Sequence, residues 1–461
     1  MTIFECFTNN DIRGSASHLL TPDAVSRISR AYALHLKPLN VVVGCDGSVA
    51  SGYLKEIIVH SLLEFGTDVI DLGRVGKEEL FYALGQGSYA GGIMVNAAVN
   101  SVNCHVLNLI GKNCQPINNS NGLLDIKKML SSPETNHHPS VVKGLLQRGY
   151  SREHYISRLL EDIDSQCFKP MTLVVNSGYG AASMVIDELE TVFNQTNVPI
   201  NFIKINHANE NEPIEIASGV SIHDFRLDTA KLVVESGADF GIAWDSDFNR
   251  CFIIDDTGHH VPAYYMVGFI AEALLRKNPG SKIVHDHVLY WNTLQTIVAN
   301  GGVAVATKIG REYFKQKMRE VNAIYGGESS AYHYFKDFTY CGSGMIPWLL
   351  LIELMSLRDA KLSQLVAERE KAFPISGEIK IPVQNPKRSA CYLLEYFKNK
   401  YSYKELSDGI GLEFEDYDNA WRLNLRMSTK QQVLKLNVEG YSDSHLVNTK
   451  ASEILDILAH T

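Results

Sequence analysis

Short runs of β-branched and aliphatic residues alternate with amphipathic stretches along most of the chain. Residues 40–43 (NVVV) run into the small, polar turn Gly44-Cys45-Asp46-Gly47, and a helical pattern follows to about residue 65. Residues 68–72 form the next predicted strand. Residues 172–175 lead into Asn176-Ser-Gly-Tyr-Gly180 and a helix over 181–193; residues 240–243 lead into 245–250, and 282–284 into Asp286. Strands alternating with helices of this length predict parallel α/β layers, with sites gathered at the carboxyl ends of the strands.

The punctuation divides this pattern. Thr21-Pro22-Asp23 offers a capping hydroxyl, a proline at the first helical position and an acid near the positive end of the dipole. Residues 131–140 read as a surface linker, and prolines with Gly377 break the helical pattern around 374–386. Beyond that break the texture becomes alternating strands, 421–425 and 433–438, with a closing helix from about Asp443. The expected architecture is three α/β domains, at 1–140, 141–256 and 257–372, and a smaller α+β domain at 373–461.

Composition narrows the class. A length of 461 residues is a prior of about three domains, and 45% hydrophobic with 21% charged residues is ordinary for a globular chain, which excludes a disordered one. The net charge is −9 without a basic block, which argues against a nucleic-acid or membrane partner. No apolar run approaches the ~18 residues of a membrane helix, and the N-terminus lacks the regions of a secretory signal. Eight cysteines without a CxxC pair fit reduced thiols, so a cytoplasmic location is expected.

The most informative polar segment is Asp245-Ser-Asp-Phe-Asn-Arg250. In an extended loop Asp245, Asp247 and Asn249 point the same way and present hard oxygens suited to Mg²⁺; an acidic turn capping its own backbone is the alternative. Arg250 at the sixth position, in place of glycine, excludes an EF-hand. Arg13, in Asp11-Ile-Arg-Gly14, is either a phosphate clamp or a solvated surface residue. The turn at 176–180 offers amides to an anion or simply needs glycine dihedrals. Gly326-Gly327-Glu328-Ser329-Ser330 places Glu328 and Ser330 to grip sugar hydroxyls, or is a tight turn. Arg422, Arg426, Ser428, Thr429, Lys430 and Lys435 form either a phosphate-binding turn or a solvated hairpin.

Taken in order, these segments resemble the α-D-phosphohexomutase superfamily, and most closely the bacterial phosphomannomutases. The resemblance rests on Phe7 with residues 11–14, Lys169-Pro170, residues 176–182, Trp291-Asn-Thr293, residues 325–331, His333-Tyr-Phe335 and residues 343–348. It implies three α/β domains around a central cleft plus a C-terminal α+β domain. The family converts mannose 6-phosphate to mannose 1-phosphate, towards GDP-mannose and surface polysaccharide, through a phosphoserine and Mg²⁺. Carried over by position, Asp245, Asp247 and Asn249 are the metal set, and Arg13 and Arg250 are phosphate contacts. Lys308, Glu328, Ser330, Arg422, Arg426, Ser428 and Thr429 are the substrate set.

The departures fall on the chemistry. The family's serine loop, Thr-Ala-Ser-His-Asn-Pro, corresponds to residues 96–101, so the phosphoserine position is Ala98 and the neighbouring histidine is Val99. A family lysine is Asn108, the last metal aspartate is Asn249, a Thr-Gly-His element reads Ile309-Gly310-Arg311, and two expected arginines are Ser48 and Val288. The terminal phosphate loop reads Arg426-Met-Ser-Thr-Lys-Gln-Gln432. Ser101 is the candidate for a displaced nucleophile, but three extended residues span up to ~10 Å, far outside near-attack tolerance. The reading is a phosphomannomutase-like protein with an impaired active site and a weakened Mg²⁺ site. It retains affinity for a phosphorylated hexose and works alone, by self-association or beside an active paralogue. The alternatives are an active mutase with a displaced nucleophile and a non-catalytic partner of one.

Overall fold

The computed structural model describes residues 3–97, 104–135, 140, 142–207, 222–245, 248–407, 409–415, 420–428 and 432–459. The chain forms two compact units, Met1–Gly258 with Cys341–Leu349, and His259–Tyr340 with Leu350–Thr461.

The first unit holds two sheets. Strands β1 (Ile12–Ser15), β2 (Asn40–Cys45), β3 (Asp68–Arg74), β4 (Gly91–Ala97), β5 (Cys104–Gly111), β6 (Gln115–Pro116) and β7 (Leu146–Arg148) make the first. Their order is β1-β5-β4-β2-β3-β7, with β6 against β5. Helices α1 (Pro22–Leu36), α2 (Val49–Glu64) and α3 (Lys77–Gln86) join β1 to β4 in sequence; α4 (Leu123–Met129) and α5 (Glu153–Glu161) come later. The start of α1 is the predicted one: Thr21 Oγ1 accepts from the Ala24 N–H at 3.3 Å. Val41, Val42 and Val43 are all fully buried, as a central strand covered on both faces requires. β7 pairs with β3, so the first sheet reaches past the boundary read at residue 140.

The second sheet comprises β8 (Met171–Asn176), β9 (Ile200–Ile205), β10 (Phe240–Trp244) and β11 (Cys251–Asp255), with helices α6 (Ala182–Thr196) and α7 (Ile222–Ser236). The order is β11-β10-β8-β9. β8, β9 and β10 are parallel, but β11 returns antiparallel to β10, so residues 245–250 link the two strands of a hairpin.

The second unit contains β12 (Lys282–His285), β13 (Val303–Ala306), β14 (Tyr325–Gly327) and β15 (His333–Phe335), ordered β13-β12-β14-β15, with α8 (Ala263–Lys277), α9 (Trp291–Ala299) and α10 (Arg311–Val321). Gly326 and Gly327 lie inside β14, not in the turn the sequence pointed to. A Cβ on Gly326 would stand 2.7 Å from Met318 Sδ, and one on Gly327 would stand 2.5 Å from the Tyr325 hydroxyl oxygen. Both glycines therefore serve close packing. β16 (Cys341–Gly342) belongs to the first unit, where Gly344 donates its N–H to Glu78 Oε2 at 2.8 Å and accepts from Trp244 Nε1 at 2.9 Å. Helices α11 (Ile346–Arg358) and α12 (Leu362–Ala372) follow.

The closing sheet is wholly antiparallel: β17 (Ile379–Pro382), β18 (Tyr403–Glu405), β19 (Ile410–Phe414), β20 (Trp421–Met427) and β21 (Val433–Gly440), in the order β17-β21-β20-β19-β18. Helices α13 (Pro386–Tyr396) and α14 (Ser444–Ala459) cover it, giving the expected α+β terminal part. Leu393, Leu423, Leu436 and Ile454 centre its core, and Phe414 stacks on Trp421 at 4.0 Å between centroids. Among the described residues no helix is long and apolar enough to cross a membrane.

Candidate active site

β4 ends at Ala97 and β5 begins at Cys104; Ala98 and Ser101 lie outside the described residues. The strand ends around them are firmly built. Asp46 Oδ2 accepts from the Ala97 N–H at 2.6 Å, and Oδ1 accepts from the Ser48 N–H at 3.1 Å. Burial raises the Asp46 pKa, and those hydrogen bonds only partly offset it. His105, cross-strand from Ala97, is 5% exposed, and burial lowers its pKa. Among the described residues its Nδ1 has no hydrogen-bond partner.

Asn108 joins a polar row along this sheet. Lys77 Nζ donates to Asn108 Oδ1 at 2.9 Å, and Asn108 Nδ2 donates to Asn96 Oδ1 at 3.0 Å. Arg13 grips Asp11 with two bonds, Nε to Oδ1 at 2.7 Å and Nη2 to Oδ2 at 2.6 Å, while its side chain stays 51% exposed. Burial pushes the Asp11 carboxyl up, but the Arg13 and Thr8 hydrogen bonds outweigh it and hold the pKa below its ordinary value.

In the hairpin after β10, Asp245 is paired within its own loop. Its Oδ2 accepts from Arg250 Nε at 2.8 Å and its Oδ1 from the Arg250 N–H at 3.1 Å. Asn249 is 4% exposed, and Asp247 lies outside the described residues. Arg250 also lies over the Phe252 ring at 5.5 Å, and Arg226 from α7 lies over the same ring at 5.1 Å. Burial, then the charge of Arg250, lowers the Arg226 pKa.

The second unit carries the sugar-type and phosphate-type residues. Glu328 is 3% exposed; its Oε1 accepts from the Tyr334 hydroxyl and its Oε2 from Ser330 Oγ, each at 2.7 Å. Burial raises its pKa against those two bonds. Asp286 accepts from the Ser329 N–H at 2.7 Å and the Val288 N–H at 2.9 Å, which ties the turn after β14 to the end of β12. Lys308 is exposed, with its ammonium 5.9 Å from the centre of the Tyr313 ring.

Arg422 is not a surface cation. It is 1% exposed, and its Nη1 donates to Val288 O at 2.7 Å and to Glu439 Oε1 at 3.0 Å. Its Nη2 donates to His287 O. Glu439 in turn accepts from the Tyr290 and Trp291 N–H groups, each at 3.1 Å, at the start of α9. This arrangement is structural, and it places Arg422 apart from the exposed hairpin end. Arg426 and Lys435 both reach Glu378, at 3.1 and 2.9 Å. Ser428 closes β20 by donating its N–H to Val433 O at 2.9 Å, and Thr429 lies outside the described residues.

Comparison with known proteins settles the family. Residues 5–133 match the model for phosphoglucomutase/phosphomannomutase alpha/beta/alpha domain I, and residues 262–373 match domain III. A phosphomannomutase from Escherichia coli is 42% identical over 462 residues, spanning 99% of this chain and 100% of that one. This chain belongs to the phosphoglucomutase/phosphomannomutase family. A phosphomannomutase from Vibrio cholerae is 41% identical over 463 residues, with 98% of each chain covered. The crystal structure of a phosphoglucomutase/phosphomannomutase family protein from Burkholderia thailandensis shares the fold, with a TM-score of 0.80 and 21% identity, covering 100% of this chain and 98% of that one. An Aspergillus fumigatus N-acetylphosphoglucosamine mutase, solved with GlcNAc-6P and magnesium, aligns with a TM-score of 0.56 at 11% identity over 91% of this chain and 82% of that one.

In the described part of the metal-type loop the one acidic side chain, Asp245, is paired with Arg250. A guanidinium already occupies the Asp245 carboxylate, Asn249 brings no charge, and the described residues hold no group of three metal-ligating side chains. Sequence reasoning missed Arg226, His105 and Lys77. A lone arginine inside a helical pattern carries no motif, and the pairing of His105 with Ala97 depends on hairpin register, which one sequence does not display.

Proposed function

We propose that this phosphomannomutase-family protein binds a phosphorylated hexose but is impaired in converting mannose 6-phosphate to mannose 1-phosphate. The carrying observation is Ala98, which supplies no hydroxyl at the position where the family holds its phosphoserine. The surroundings support it. The lysine position is a neutral Asn108, hydrogen-bonded to Lys77 and Asn96, and so offers no ammonium for proton transfer. Mg²⁺ binds the 245–250 loop weakly on this reading, because Asn249 removes one carboxylate and Arg250 competes for Asp245.

Retained binding rests on the polar groups that remain: Glu328 with Ser330, Arg426 with Ser428, and Arg13. The second reading, an active mutase with a displaced nucleophile at Ser101, is favoured by full-length relatives at 38–42% identity, most of them named phosphomannomutase. A coupled mutase assay with mannose 1-phosphate, Mg²⁺ and glucose 1,6-bisphosphate tests both, run beside an Ala98→Ser, Val99→His variant. Binding of mannose 1-phosphate by calorimetry without turnover is the expected result. Turnover by the unmodified protein establishes the second reading, and absence of any binding removes the first.

A further inference from the structure

We propose that the gap between α3 and the β3–β7 end of the first sheet binds an uncharged heteroaromatic ring system about the size of a nucleoside. No residue carried over from the phosphohexomutase resemblance lines it, so the proposal stands apart from the phosphosugar reading.

The gap follows from the way the helices are laid. The chain passes from β2 out to β3 and back beyond β2 to β4, and right-handed crossovers then put α2 and α3 on opposite faces of the sheet. α3 packs mainly on β2 and β4. Its face of the sheet is therefore left open at β3 and β7, where a cavity of about 450 Å³ lies. Small-molecule sites typically run from roughly 300 to 1,000 Å³.

Strand alternation sorts the charges away from this cavity. Asp71 and Arg148 are neighbours in the parallel register, and both turn to α2. Lys55 Nζ donates to the two Asp71 carboxylate oxygens at 2.7 and 2.6 Å, Arg148 Nε lies 3.3 Å from Asp71 Oδ2, and Arg148 Nη2 donates to Glu56 Oε2 at 2.8 Å. Two cations thus meet two carboxylates. Arg152, beside the Tyr150 ring, is likewise matched by Glu79 at 2.7 Å. Ile70, Leu72 and Gln147 turn the other way and floor the cavity, with Ile70 only half-buried. His154 is exposed at the rim.

The walls are tyrosines held in place. The Tyr82 ring lies 5.5 Å from that of Tyr155, and its hydroxyl donates to His154 O at 3.0 Å. A Cβ on Gly87 would stand 2.3 Å from Tyr89 Cε2, so that ring lies directly on the chain after α3. Gly149, at a φ of +99°, turns the chain out of β7 into Tyr150, a conformation that side chains disfavour. Among the described residues neither Gln86 nor Gln147 has a hydrogen-bond partner for its amide, and each amide offers an acceptor and two donors. Ring faces with amide edges suit a planar ring that carries its own donors and acceptors. A bare sugar would bring more hydroxyls than two amides satisfy, and a charged ligand would find its counter-charges already matched.

The test is saturation-transfer NMR titration of the full chain with adenosine, adenosine 5′-monophosphate and methyl α-mannoside. Wild type, Tyr89→Ala and Gln147→Leu are compared after circular dichroism confirms folding. Adenosine is expected to bind, its monophosphate to bind no tighter, and the mannoside to leave bound adenosine in place. Tyr89→Ala should weaken adenosine roughly tenfold, the scale of a lost base–aromatic stack. Gln147→Leu should weaken it about threefold or more, as for one lost hydrogen bond. No adenosine binding by wild type, or affinity unchanged in both variants, overturns the site. Tighter Tyr89-dependent binding of the monophosphate, or displacement of adenosine by the mannoside, overturns the ligand class. None of these outcomes bears on binding of mannose 1-phosphate, which separates this proposal from the phosphosugar reading.

Discussion

Replacing Arg422 by alanine separates a structural cation from a substrate contact. The guanidinium is 1% exposed and serves two backbone carbonyls, His287 and Val288, together with Glu439, which is 0% exposed. The substitution leaves Glu439 buried with only the Tyr264 hydroxyl and the Tyr290 and Trp291 N–H groups, and leaves both carbonyls without this donor. Breaking a buried ion pair from one side costs about 3–5 kcal/mol, because the surviving charge is uncompensated. Burial already raises the Glu439 pKa with Arg422 present, so losing that cation pushes it further up. Urea unfolding followed by circular dichroism should show the loss in the transition of the second unit, with Arg422→Lys intermediate. A change below about 1 kcal/mol, together with loss of mannose 1-phosphate binding, would refute the structural assignment and return Arg422 to the substrate set.

Three further outcomes follow from buried groups. Burial raises Glu78 to about 8 despite hydrogen bonds from Ser343 and Gly344. The folded state thus holds a proton that the unfolded state releases above its ordinary value, and stability falls as pH rises from about 4.5 to about 8, at up to about 1.4 kcal/mol per pH unit. Glu78→Gln should flatten that slope in denaturant titrations across the range, and an unaltered slope counts against it. Gly76→Ala sets a Cβ 1.8 Å from Phe248 Cε1. It should lower stability by about 1–3 kcal/mol by overpacking, measured by thermal melting. Asn108→Lys restores the family's lysine but sets an ammonium against Lys77. Repulsion of up to about 4 kcal/mol is expected, relieved by Lys77→Thr, and equal stability of the single and double variants would show that the two positions do not couple.

The strand–turn–helix rhythm was legible because buried parallel strands read as β-branched runs, and β2, β8 and β10 stand where those runs do. Caps were legible too, as at Thr21. What one sequence hides is which side chains meet. Arg422 alternates with Leu423 along β20 as an outward residue would, yet the segment before α9 covers that face. Gly326 and Gly327 look like a turn because their reason lies in side chains of α8 and α10. Strands flank 245–250 as their pattern reads, but the Asp245–Arg250 pair depends on the antiparallel register between them, which one sequence does not display. The replacements at 98, 99, 108 and 249 needed no structure, since a missing hydroxyl or carboxylate is a fact of composition at a position.

The central claim is that no phosphoryl group is carried where the family carries one. Intact-mass spectrometry of the protein after incubation with glucose 1,6-bisphosphate and Mg²⁺ tests it most directly. The account predicts no phosphoryl adduct on the unmodified protein, while mannose 1-phosphate still binds. A stoichiometric adduct, mapped by peptide sequencing to Ser101 or another residue, would contradict it and restore a working mutase.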